Sequence, residues 1–156
     1  MSFINYPAGE INCKIVYYGP GLGGKTANVQ HIFDRTAEGS KGRHYRASRR
    51  LILRGVDGIV FVADSQPGRL DADAESMSDL AENLAEQGQP LEDIPLVIQY
   101  NKRDLDDAVP IAELRELLNP RAVPDLEASA AKGLGVFEML RVVGRLVLTG
   151  LKLPRR

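Results

Sequence analysis

At 156 residues and 17.1 kDa the chain is long enough for one domain with a real core and too short for two of ordinary size. Its 44% hydrophobic and 26% charged residues are a globular mixture, and a formal net charge of −1 argues against a nucleic-acid or anionic-membrane partner. One cysteine, no apolar run approaching the ~18 residues of a membrane span, no leader core and no lipidation motif together read as cytoplasmic, without a membrane anchor.

In chain order, strands are expected at Ile11–Tyr18, Gly58–Ala63, Leu96–Tyr100 and, more weakly, Asp125–Ala128. IVFVA and LVIQY are nearly continuous apolar runs, as strands covered on both faces of a parallel sheet should be. Helical spacing joins Val29, Ile32 and Phe33, then Leu70, Ala74, Met77, Leu80 and Leu84. It recurs at Ile111, Leu114, Leu117 and Leu118, and at Val136, Met139, Leu140, Val143, Leu146 and Val147. These stripes are expected to face the core, and Cys13, inside an apolar run, to be a small buried hydrophobe. Strands alternating with helices imply one layered α/β domain over residues 1–156, a mostly parallel sheet between helix layers.

The first strand runs into GPGLGGKT, Gly19 to Thr26, a match to G-x-x-x-x-G-K-[ST] with a strand before it and an amphipathic helix after it. Glycines let successive backbone N–H groups turn inward as an anion nest, which the following helix N-terminus reinforces. Lys25 can reach the β- and γ-phosphates and is the candidate catalytic residue. The Thr26 hydroxyl is the candidate Mg²⁺ ligand. Nucleotide contacts are expected from Gly19, Gly21, Leu22, Gly23, Gly24, Lys25, Thr26 and Ala27.

Two later clusters select the base. Asn101, Lys102, Arg103 and Asp104 follow the strand LVIQY, where one carboxylate can accept from two adjacent donors on a guanine edge. Adenine lacks that donor pair and would leave the carboxylate unpaired. Lys102 can lay its stem along the base, and Asn101 can tie the loop to the phosphate loop. Alone, NKRD also fits a solvated turn. Ser129, Ala130 and Ala131 leave the fourth strand, and their small size lets backbone N–H groups approach a base oxygen. All three clusters lie past carboxyl ends of strands, where open α/β sheets hold ligands.

With these three motifs the chain resembles the Ras-like small GTPases. The stretches EINCKIVYYGPGLGGKT, ASRRLILRGVDGIVFVADSQ, NLAEQG and VIQYNKRDL are similar to the bacterial branch that governs polarity and gliding. The resemblance implies a GTP/GDP switch with Mg²⁺, a roadblock-type GTPase-activating homodimer, polarity or motility effectors, and a location that includes the cell pole. The rival class is a GTP-binding scaffold without turnover. A P-loop ATPase or small-molecule kinase is opposed by NKRD.

The pattern departs from the family between the first helix and ASRRLILRGVDG. Switch I, two strands and switch II need roughly thirty residues or more, and only TAEGSKGRHYR is present. No residue can be assigned as the catalytic glutamine or arginine. Either a segment is omitted with Gly42–Tyr45 as the seam, or both switches are lost. The first is favoured because a four-stranded remnant would expose a sheet edge. Ala131 replaces the lysine of the third motif, a mild change where backbone makes the contact. Asp64 is expected to shape a strand-end turn rather than ligate metal. Arg49, Arg50 and Arg54 read as a solvated face, and His31 and His44 lack partners at metal-ligand spacing.

Overall fold

Successive residues of a strand point to opposite faces, and one strand shows how the layers form. In the computed structural model, which describes residues 2–35 and 49–151, strand β4 (Gly58–Asp64) is buried along its whole length. Ile59, Phe61 and Ala63 enter one apolar cluster, while Val60 and Val62 enter another on the opposite face. A strand with two covered faces needs no polar alternation, which explains the continuous run IVFVA.

Strands β3 (Ile15–Tyr18), β4, β5 (Leu96–Asn101) and β6 (Asp125–Glu127) form one parallel sheet in the order β3-β4-β5-β6. Register sets Tyr18 beside Phe61 and Asp64 beside Asn101, so strand ends gather at one edge of the layer. Helices α1 (Lys25–Arg35), the short α2 (Arg49–Ile52), α3 (Leu70–Glu86), α4 (Ile111–Leu118) and α5 (Val136–Gly150) complete the α/β arrangement. Leu80 and Leu84 of α3 and Leu114 and Leu118 of α4 pack with Ile59, Phe61, Ile98 and Tyr100. On the other face, Met139, Val143 and Val147 of α5 pack on Val60, Val62 and Val97. Asp125 locks α4 to β6: it accepts two hydrogen bonds from Arg115 and others from Tyr100 and Asn119.

Three expectations need correction. Ile11–Tyr18 is not one strand. Glu10–Asn12 (β2) instead pairs antiparallel with Phe3–Asn5 (β1), and β3 starts only at Ile15. The break falls where Lys14 turns to Asp57, donating its N–H to the carboxylate at 2.7 Å and accepting from the Asp57 N–H at 2.8 Å. Cys13 lies at that break and is exposed, not buried. The apolar stripe of α1 does not enter the core. Only Asn28 of that helix is buried, where it meets Gln99 of β5, and Phe33 is 44% exposed. Leu117 of α4 is likewise exposed, while its neighbours Leu114 and Leu118 are buried. The seam expected at Gly42–Tyr45, and His44 with it, lies outside the described residues.

Candidate nucleotide site

The phosphate loop is held by close approach. A Cβ on Gly19 (φ +154°) would run into the Val62 carbonyl of β4, and one on Gly24 (φ +110°) would collide with Asn101 Nδ2. No other residue type fits either place. The Gly23 N–H donates to Pro20 O at 3.2 Å, and the Asn28 N–H donates to Gly24 O at 3.0 Å to start α1. Lys25 Nζ arches back to Gly19 O at 2.7 Å. Among the described residues, a Cβ on Gly21 would meet no atom within 4 Å, so the loop is open there. Leu22 has φ 62° and is 93% exposed, a left-handed leucine costing about 1–2 kcal/mol. Thr26 and Ala27 are exposed in the first turn of α1.

The base-side loops converge on the same point. Asn101 Nδ2 donates to Gly23 O at 2.9 Å, the tie to the phosphate loop expected from sequence. Its Oδ1 also accepts from the Ala130 N–H at 2.9 Å, a second tie that sequence reasoning missed. One buried amide therefore joins all three loops. Arg103 braces the loop through Val109 O at 2.5 Å and Glu127 at 3.2 Å, and its N–H donates to Ala128 O. Asp104 is exposed, and its Oδ1 accepts from Ser129 Oγ at 2.9 Å. Ser129 thus contributes a hydroxyl, not only backbone. Ala130 is buried at the start of the turn Ala130–Lys132, and Ala131 is exposed.

Lys102, in the left-handed region at φ 65°, sends its amine to Asp64 Oδ2 at 2.7 Å. Asp64 does shape the strand-end turn: its Oδ1 accepts from the Gln66 N–H at 3.0 Å, and the carboxylate is fully buried. The Asp64 N–H in turn donates to Asp73 Oδ1 at 2.8 Å. Burial pushes the Asp73 carboxyl up to about 7, an effect the hydrogen bond from Asp64 only partly offsets. Arg69, at the end of the turn Pro67–Arg69, donates to Gly21 O at 2.5 Å. Sequence reasoning singled out neither Arg69 nor Asp73. Arg54 is exposed, as a solvated face requires, and His31 packs edge-on to Phe137.

A phosphate chain with Mg²⁺ fits this cradle. The loop is open at Gly21, the Thr26 hydroxyl is exposed at a helix N-terminus, and the Lys25 amine spans the loop. Bound Mg²⁺ supplies neutralisation of charge on the phosphate oxygens.

Comparison with known proteins agrees with this geometry. The profile of "Arf: ADP-ribosylation factor family" matches residues 39–152. The "Mutual gliding-motility protein MglA" of Myxococcus xanthus (strain DK1622) is 48% identical over 192 positions, covering 97% of this chain and 98% of that one. Since 192 positions exceed 156 residues by 36, at least that many positions of the alignment face a gap in this chain. The deficit has the size expected from the sequence for the switches and two strands. The chain belongs to the Arf/Ras-like family of small GTPases, and as such it binds GTP and GDP with Mg²⁺ and hydrolyses GTP.

Proposed function

We propose that the three loops form one guanine-nucleotide site and that the chain is the GTPase switch of a bacterial polarity and gliding-motility system. The observation carrying the site is Asn101, whose side chain bonds Gly23 O and the Ala130 N–H at once and so ties three sequence-distant loops to one another. The 48% identity to a gliding-motility protein supports the biological setting.

Each residue has a role in this reading. Gly19, Gly21, Leu22, Gly23, Gly24 and Ala27 offer backbone to the phosphates, Lys25 draws charge from the β- and γ-phosphates, and Thr26 ligates Mg²⁺. Asp104, steadied by Ser129 Oγ at 2.9 Å, accepts from the two donors of guanine. Lys102 flanks the base, and Ala130 and Ala131 present N–H groups to its oxygen. Hydrolysis is in-line attack of water on the γ-phosphate, with Lys25 stabilising the charge that develops. The single domain spans residues 1–156. Its activating partner is a roadblock-type, MglB-like homodimer, its effectors belong to polarity or motility machinery, and its location includes the cell pole.

Multiple-turnover phosphate release from GTP and ATP, with and without the roadblock-type partner, tests this. Slow release from GTP, accelerated by the partner and absent with ATP, is expected. Tight GTP binding with no release under either condition would overturn this reading.

A further inference from the structure

Arg69 belongs to none of the three nucleotide motifs, yet it bridges two of them. Its Nη2 donates to the carbonyl of Gly21 in the phosphate loop at 2.5 Å. Its Nε lies 3.6 Å from Asp64 Oδ2, the same oxygen that holds Lys102 of the base loop at 2.7 Å. The Asp64 side chain is 0% exposed, against 34% for Arg69 and 26% for Lys102. A buried carboxylate that serves two cations through one oxygen cannot lose either without changing its hold on the other.

We propose that Asp64 and Arg69 are positioning residues that couple the base loop to the phosphate loop, a proposal that rests on the guanine-nucleotide reading above. Any movement of the Lys102 amine toward a bound base alters the pull on Arg69. Arg69 then passes that change to the Gly21 carbonyl. The path runs from base loop through carboxylate and guanidinium to phosphate loop, by two hydrogen bonds and, between Asp64 and Arg69, an ion pair at 3.6 Å. Arginine suits this place because its planar fork holds Nη2 and Nε at a fixed separation, one toward the Gly21 carbonyl and the other toward Asp64. Lysine has three donors but gathers them on one nitrogen, without that fixed separation.

The test is a double-mutant cycle on the full chain, reading GDP affinity by calorimetry after nucleotide removal and unfolding temperature alongside. Arg69→Met and Lys102→Met are each expected to weaken GDP binding severalfold. The double variant should fall short of the product of the single effects by about threefold or more, because each removal disables the same path. Arg69→Lys keeps a charge beside Asp64 but cannot also hold Gly21. It should retain the unfolding temperature of the parent and still lose GDP affinity, which a purely structural arginine would not do. Effects that multiply, or Arg69→Met that lowers the unfolding temperature while GDP affinity stays unchanged, would overturn the coupling. If the parent protein prefers guanine over adenine nucleotides and the cycle multiplies, only the coupling fails. If the parent shows no guanine preference, the guanine-site reading fails and the coupling falls with it.

Discussion

Asn28 on α1 and Gln99 on β5 exchange two amide hydrogen bonds, 2.7 and 2.8 Å long, with both side chains 0% exposed. Asn28 Nδ2 also donates to Gly24 O at 2.9 Å, so the same pair steadies the last glycine of the phosphate loop. Each amide is satisfied in the core by the other, and removing one strands its partner. Asn28→Leu is therefore expected to cost about 1–3 kcal/mol. Asn28→Leu with Gln99→Leu should cost less than the two single changes added together, since no polar group is left orphaned. Urea unfolding of the four proteins measures this. Strictly additive losses would show that the amides do not depend on each other.

Two glycines of the phosphate loop should respond differently to a methyl group. At Gly24, with φ +110°, the added Cβ collides with Asn101 Nδ2. Gly24→Ala is expected to lose more than about 1 kcal/mol of stability and to lose GDP binding as well. At Gly21 the Cβ meets nothing within 4 Å among the described residues. Gly21→Ala should keep stability to within about 0.5 kcal/mol, with any effect confined to the nucleotide. Unfolding midpoints and GDP titrations on both variants separate the cases. A Gly24→Ala protein with parental stability would contradict the close approach.

Base choice should rest on Asp104. GTP and GDP are expected to bind at micromolar concentrations or tighter, and ATP more weakly by several kcal/mol, because adenine leaves the carboxylate unpaired. Asp104→Asn should weaken guanine nucleotides and improve xanthine nucleotides, since the donor–acceptor pattern is inverted. Ser129→Ala removes the hydroxyl that holds Asp104 Oδ1 at 2.9 Å. It should reduce guanine affinity by about 0.5–1.5 kcal/mol. Competition of GDP, xanthosine diphosphate and ATP against a fluorescent GDP reads all three effects. Equal affinity for ATP and GTP would end the guanine assignment.

What the sequence made legible was whatever local pattern controls. Continuous apolar runs gave β4 and β5, and the loops after β3, β5 and β6 stand where their motifs put them. The hairpin β1–β2 was missed although Pro7 and Gly9 sit between two short apolar stretches, with Gly9 at φ 64°. That turn signal was there to be used. The exposure of Phe33 was not legible, because helical spacing records a stripe but not which of its residues the fold covers. Nor were Asp73 and Gln99, buried polar groups inside apolar patterns. Their partners, Asp64 and Asn28, meet them only in the folded chain. Periodicity carries no information about which distant N–H or amide a buried polar side chain will find. Gln99 within LVIQY was the one visible hint, a polar residue in a run that otherwise had no reason to hold one.

Asp73 should make stability depend on pH in the direction opposite to most carboxylates. Its folded pKa is about 7, raised from 3.8, first because burial disfavours the charged form and also because the Asp64 carboxylate is near. The hydrogen bond from the Asp64 N–H and the charges of Arg69 and Lys102 oppose the rise without cancelling it. Between those two values the folded protein binds this proton and the unfolded chain does not. The contribution of Asp73 to stability is thus full below the unfolded pKa and is lost as pH rises through the folded one. Asp73→Asn keeps an Oδ1 acceptor for the Asp64 N–H and places an uncharged amide where Asp73 Oδ2 has no partner among the described residues. The variant is expected to match the parent near pH 4 and to exceed it by about 2–4 kcal/mol near pH 8. Urea unfolding of both proteins at intervals across that range measures the difference curve, in which groups common to the two cancel. A flat difference curve would mean that Asp73 is already ionised in the folded protein and that its burial does not set its charge.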